Sequence, residues 1–296
     1  MFKLTAVVWV CFIIALTFFY LYLHIKSYFN YSNLLEIMRC VDNKYTNYMN
    51  YGFWEKDTAT LEEASINLIE YAYNIGKLHK FRNVLDVGCG NAEQDIKWLE
   101  MDKYNGNNLN ITCVDLDEKM IENAKKNILH HNLEHRIKVF RGNACNLEFQ
   151  NNQFDCIVSL ESAFHYKPRI KFLEESHRIL QKDGTLLLVD IIVNKPKTAI
   201  NYLYQSFLSN VLDIPKANMV SENELQNQLN NIGFDVELYN ITDNVYTPFY
   251  KNFFKKLDFN GGYVTQFCEK ILDQLINNYI TDSGDLLYII AVCKKI

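Results

Sequence analysis

Proline and glycine are scarce in this chain of 296 residues, at 4 and 11, which excludes collagen-like repeats and long Pro/Gly-rich linkers. No self-similar period of solenoid length is visible either. Neither sign of charge dominates. The 30 basic and 35 acidic side chains leave a net charge of −5, a poor match to a surface that must neutralise many phosphates, so no nucleic-acid partner is expected. The 8 cysteines include no C-x-x-C pair and no Cys/His cluster of zinc spacing. No metal set is therefore expected, and the cysteines read as small buried hydrophobes of a reducing compartment. What is present is an ordinary globular balance, 49% apolar and 22% charged, on a chain long enough for one large or two small domains.

The apolar residues are unevenly spread. From Leu4 to Leu23 no residue carries a formal charge, and at a helical rise of ~1.5 Å per residue that run spans the ~30 Å hydrocarbon core of a bilayer. Its bulky exit Phe18-Phe19-Tyr20-Leu21-Tyr22 offers no small-residue cleavage site, so a retained anchor is expected rather than a signal peptide. The organisation that follows is a transmembrane anchor over 1–26, a lid or linker segment over 27–60 and a domain over 61–296. That arrangement makes a single-pass membrane protein with its domain facing the cytoplasm.

Downstream, helix and strand patterns alternate. Thr60-Leu61-Glu62-Glu63 is a capping box opening a helix with Leu61, Ala64, Leu68, Ile69, Ala72 and Ile75 at helical spacing. Strands are expected at 83–87, 111–116, 137–141, 154–160 and 185–193, with helices at 92–101, 118–131 and 170–180, the last ended by Lys182-Asp183-Gly184. Ser221 to Glu224 caps a helix that stops at Gly233, and 234–241 and 286–294 read as closing strands. Helical segments at 201–212 and 250–280 suggest an inserted cap. Such alternation implies an α/β fold, a doubly wound parallel sheet with helices on both faces.

The segment richest in chemistry is Val84 to Ala92, a buried strand running into a glycine turn at the start of a helix. Gly88 and Gly90 let backbone approach a ligand, and the helix start supplies unpaired amide donors. A dinucleotide loop would need its third glycine at 93, where Glu93 stands. Asp115, at the carboxyl edge of the second strand, can accept both hydroxyls of a ribose or cap the next helix; Asp117 is better placed for the cap.

In combination, Asp86-x-Gly88-x-Gly90, Asp115, Gly142-Asn143-Ala144 and Phe154 to Ser159 resemble the ordered motifs of class I S-adenosylmethionine-dependent methyltransferases. The resemblance implies a Rossmann-like seven-stranded sheet with one antiparallel strand, and S-adenosyl-L-methionine as cofactor. It places Gly88 and Gly90 against the methionine part, Asp115 at the ribose, and Asn143 and Ala144 by the adenine, with Asp86, Cys89, Leu116 and Ser159 as further cofactor-binding residues. Ala92 stands where many members have a third glycine, and Asn143 where many have Asp. The fourth strand lacks the [DN]-P-P-[YF] of base-modifying enzymes. Its sequel Ser159 to Tyr166 resembles the branch acting on sterols, tocopherols, fatty acyl chains, polyketides and phosphoethanolamine, which implies a small-molecule or lipid acceptor.

Within that branch His165 matches a histidine that helps deprotonate the acceptor, Glu161 an acidic partner, and Tyr48 to Trp54 the lid over cofactor and acceptor, with Tyr51 a third catalytic candidate. Each has a plainer reading: His165 as a loop residue, Glu161 as a partner of the cofactor ammonium, Tyr51 and Trp54 as packing. Two other functions compete, a catalytically silent cofactor-binding protein and a dinucleotide-dependent oxidoreductase, the latter opposed by Glu93.

Overall fold

The structure is a computed structural model. It describes residues 47–106, 109–196, 212–253 and 286–296, together with 198, 199, 202, 205, 206, 209 and 210. Helix α1 (Leu61–Ile75) leads into strand β1 (Asn83–Val87), α2 (Glu93–Asp102), β2 (Asn110–Asp115), α3 (Glu118–His130), β3 (Ile137–Arg141) and β4 (Phe154–Leu160). A 3-10 turn at Ala163–His165 precedes α4 (Arg169–Ile179) and β5 (Leu180–Val193). The chain closes with α5 (Glu222–Ile232), β6 (Phe234–Asn240), α6 (Thr242–Phe253) and β7 (Leu286–Lys295).

The strands form one sheet in the order β3-β2-β1-β4-β5-β7-β6. β1 pairs in parallel with β2 and β4, and β7 runs antiparallel to both β5 and β6. This is the expected doubly wound sheet with one reversed strand. Side chains alternate between two buried faces: Leu187, Val189 and Ile191 of β5 join the core under α1 and α2, while Leu186, Leu188 and Ile192 join the one under α4 and α5. Each such side chain contributes ~1.5–3 kcal/mol on burial, which is why the central strands read as unbroken apolar runs rather than alternating ones.

Helix termini follow local chemistry. Thr60 and Glu63 make the expected capping box, and Asp117 accepts from the amides of Lys119 and Met120 at 2.7 and 3.3 Å. Gly233 ends α5 at φ +111°, a left-handed conformation that costs glycine nothing.

Two expectations need correction. The helix expected over 170–180 is α4, which ends one residue earlier, at Ile179, because Leu180 already pairs with Phe154 and the Lys182-Asp183-Gly184 turn falls within β5. The turn at Asp183, φ +63°, lies on the β5 side of that pairing. The placement as a single-pass membrane protein is also overturned, since no helix among the described residues is long and apolar enough to cross a membrane. A charge-free run measures only the cost of transfer into hydrocarbon, and by itself it does not establish a spanning helix. Leu4 to Leu23 lies outside the described residues, as do most of the helical segments expected at 201–212 and 250–280.

Candidate active site

The glycine turn is held open by backbone alone. Gly88 and Gly90 have φ of +80° and +57°, and Ala92 enters α2 at +64°. The Gly88 amide donates to the Val114 carbonyl at 2.7 Å, tying the turn to β2. A Cβ at Gly88 would overlap Ser162 Oγ, and one at Gly90 would overlap the methyl of Met49. The bare backbone at 88 therefore makes room for protein, the β4 loop, as well as for any ligand.

Asp115 closes the turn from the other side. Its Oδ2 accepts from the Gly90 amide at 2.9 Å and its Oδ1 from Asp117 N–H at 2.9 Å. One of the two readings of Asp115 thus falls away, because Asp117 makes the helix cap and Asp115 braces the loop. Burial pushes the Asp115 carboxyl up against those two donors. Next to it, Asn143 Oδ1 accepts from Cys145 N–H at 2.9 Å, which leaves the Asn143 amide N–H groups as donors.

These residues line a cavity of about 410 Å³ at the carboxyl edge of β1, β2 and β4. Gly88, Cys89, Asp115, Leu116, Asn143 and Ala144 form its wall, with Met49 and Asn50 from the expected lid segment. Leu116 is 63% exposed there, an uncovered apolar side chain inside a concave site. Three other expected cofactor residues stand behind the wall. Asp86 is fully buried and accepts from Gln94 Nε2 at 2.8 Å; burial lifts it to about 7, beside Asp95, which burial and the Asp86 charge also raise. Gly90 packs under Met49, and Ser159 is buried, its hydroxyl 2.8 Å from Ser162 Oγ.

Opposite the glycine turn, the loop after β4 brings Glu161 and His165 to the same cavity. Glu161 has φ +53°, a strained backbone for a residue with a Cβ. Its carboxylate accepts from Tyr51 N–H at 2.9 and 3.1 Å and from the Tyr288 hydroxyl, and desolvation still lifts it to about 8. Tyr51 itself does not line the cavity. Its ring meets those of Phe249, Tyr246 and Tyr288 edge-on at 4.7, 5.8 and 6.3 Å, and its contribution at the site is the backbone amide on Glu161. Trp54 Nε1 donates to the Tyr51 carbonyl at 3.0 Å and braces that strap.

His165 Nδ1 lies 3.1 Å from the carbonyl oxygen of Asp213. A carbonyl can only accept, so Nδ1 carries the proton and Nε2 keeps its lone pair. Burial lowers the imidazole's pKa, outweighing Asp213 and Asp190. That shift favours the neutral imidazole.

Sequence reasoning passed over Tyr166 and Tyr288. The Tyr166 hydroxyl bonds the Val87 carbonyl at 2.9 Å and Ser162 Oγ at 2.8 Å, clamping the β4 loop to the end of β1. Tyr288 sits in an apolar strand run where only the cross-sheet position reveals its carboxylate partner.

A seven-stranded sheet with a reversed penultimate strand, a glycine turn after its first strand and a carboxylate closing its second define an α/β enzyme built around a nucleoside cofactor. A family model for the methyltransferase domain matches residues 85–188. The erythromycin 3''-O-methyltransferase of Saccharopolyspora erythraea is 31% identical over 264 residues, 84% of this chain and 83% of that protein. The 27-O-demethylrifamycin SV methyltransferase of Amycolatopsis mediterranei is 27% identical over 168 residues, 57% and 58% of the two chains. Among solved structures, geranyl diphosphate methyltransferase bound to GPP and sinefungin has a TM-score of 0.70 at 14% identity, over 93% of this chain and 100% of that one, a likeness of fold. The chain belongs to the class I S-adenosylmethionine-dependent methyltransferases, and S-adenosylmethionine is its cofactor. The cavity fits that group: an exposed Leu116 face for a base, a carboxylate with acceptor capacity left for hydroxyls, and a turn of bare backbone.

Proposed function

We propose that the protein transfers the methyl group of S-adenosylmethionine to a hydroxyl of a small organic acceptor, with His165 as the proton acceptor. The observation that carries this reading is the Nδ1 contact with the Asp213 carbonyl, which in the neutral imidazole leaves the lone pair on Nε2 of a histidine that lines the cavity. The name of the relative erythromycin 3''-O-methyltransferase supports the choice of a hydroxyl.

When bound, the sulfonium cofactor supplies an electrophilic methyl group. Asp115 would hold the ribose hydroxyls, Leu116, Asn143 and Ala144 would contact the base, and Gly88 and Cys89 the methionine part. In-line displacement draws most of its acceleration from positioning, and an alcohol must also lose its proton as the bond to carbon forms. His165 takes that proton. Glu161 holds the strap at Tyr51 over the cavity by accepting its amide, which makes it a positioning residue in this reading rather than the base.

The test is methyl-labelled S-adenosylmethionine incubated with a metabolite extract, followed by mass identification of the product. A labelled methyl ether, lost in His165→Ala, is the expected result. Label on carbon or nitrogen, or a His165→Ala enzyme within threefold of wild type, rejects the assignment.

A further inference from the structure

The histidine on the cavity wall sits on a single 3-10 turn, Ala163–His165, which has no ladder or helix of its own to hold it. The groups that hold it come from a segment 48 to 54 residues downstream. Asn218 Nδ2 donates to the carbonyls of Phe164 and Tyr166, at 2.9 and 2.6 Å, the two residues that flank His165. Asn218 Oδ1 accepts from the backbone amide of Arg169 at 3.0 Å, which fixes the start of α4. Its carbonyl receives Arg169 Nη2 at 3.1 Å, while Arg169 Nη1 pairs with Asp190 at 2.5 Å in the core. Asn218 is fully buried and does not line the cavity. Both amide protons and the amide oxygen are spent on the two ends of one loop.

Resting on the reading of His165 as base, we infer that Asn218 is the positioning residue of that base. Its side-chain amide locks the turn so that the imidazole meets the Asp213 carbonyl through Nδ1 and turns Nε2 to the cavity. Asp213 and Asn218 belong to one short segment, so the group that sets the tautomer and the group that sets the turn move together. Without the amide, the Phe164 and Tyr166 carbonyls lose their buried donors and seek other partners, and the ring loses its register with Asp213.

The experiment is NMR of the full chain with isotope-labelled histidines, with the His165 signals identified by their loss in His165→Gln, and S-adenosylhomocysteine affinity measured by calorimetry. The charged groups facing the ring are Asp213, Asp190 and Lys167, and all three are retained in every variant. Wild type should show His165 as the Nδ1–H tautomer, titrating below the ordinary ~6.5. Asn218→Ala should give a mixture of tautomers and a midpoint shifted up toward ~6.5. Asn218→Leu keeps the size and removes both donors without adding a charge, so it should do the same, and it carries the comparison if the alanine variant does not fold. S-adenosylhomocysteine affinity should stay within about threefold. Val220→Ala, which removes buried apolar surface from the same segment, should lower thermal stability and leave tautomer and midpoint alone. Folded Asn218 variants with the wild-type tautomer and midpoint overturn the inference, as does a Val220→Ala variant that shifts them equally. A fully active His165→Ala enzyme with the Asn218 effects intact would reject the base reading and spare the positioning one.

Discussion

The two walls of the cavity are built differently. The wall at β1 and β2 is made by two successive strand ends, a glycine turn and an acid 25 residues on, bonded through main-chain amides such as Gly90 N–H on Asp115. The wall at β4 and β5 is assembled over long distances: Glu161 meets Tyr288 and the Tyr51 amide, and His165 meets Asp213. The first is a backbone cradle whose shape follows from left-handed φ values, and the second is a set of side chains whose protonation is set by burial. Under the proposed function this difference becomes a division of labour, with binding resting on the cradle and proton transfer on the assembled wall.

Mutations on one wall should therefore spare the other's readout. The largest effect is expected for His165→Ala, a fall in kcat of ~10²–10⁴ with cofactor affinity unchanged within about twofold. The wild-type rate should rise with pH through the imidazole titration, centred below its ordinary value because burial lowers it, and the mutant should lack that limb. A parallel loss of cofactor affinity in calorimetry would break the division.

Next comes the support beneath the assembled wall. Arg169→Met leaves Asp190 buried against nothing, with its Oδ1 already lacking a hydrogen-bond partner. Removing one member of a buried pair costs about 3–5 kcal/mol, readable as a lower urea midpoint with an unchanged slope.

On the cradle, Asp115→Ala removes a charged acceptor with contacts worth about 1.5–3 kcal/mol. S-adenosylhomocysteine affinity should drop roughly ten- to a hundredfold, with the His165 titration unmoved. A change under twofold would confine Asp115 to bracing Gly90.

The last comparison concerns pH. Glu161 is raised from 4.5 to about 8, so the folded chain holds a proton that the unfolded chain releases. Its contribution to stability is complete below about pH 4.5 and is lost as pH rises through about 8. Asp86, raised from 3.8 to about 7, acts with the same sign in its own window. Glu161→Gln should remove its share of the decline of melting temperature across about pH 4.5 to 8, abolishing the decline above about 7 and leaving only the share of Asp86 between about 4 and 7. An unchanged slope across the whole range would mean that Glu161 is ionised in the fold.

Legibility in the sequence follows the same division. Strands β1, β3 and β4 have the boundaries expected of them, because buried parallel strands are short apolar runs bounded by turn residues. The reversed strand and the loop residues Gly88, Asp115 and Asn143 were readable together through the order of their motifs. Leu180 was misassigned to a helix because helical and strand patterns overlap at the junction, and only pairing with Phe154 decides between them.

The sequence by itself determined the sheet order's raw material, the cofactor turn, the Asp117 cap and the presence of a titratable histidine after β4. These are properties of residues a few positions apart, governed by backbone sterics and hydrophobic period. Tertiary structure alone decided which nitrogen of His165 meets the Asp213 carbonyl, that the Tyr51 amide and the Tyr288 hydroxyl meet Glu161, and that Asn218 meets the carbonyls flanking His165. Those contacts join residues 48 to 127 positions apart, and a hydrogen bond between distant segments leaves no periodic trace in either of them.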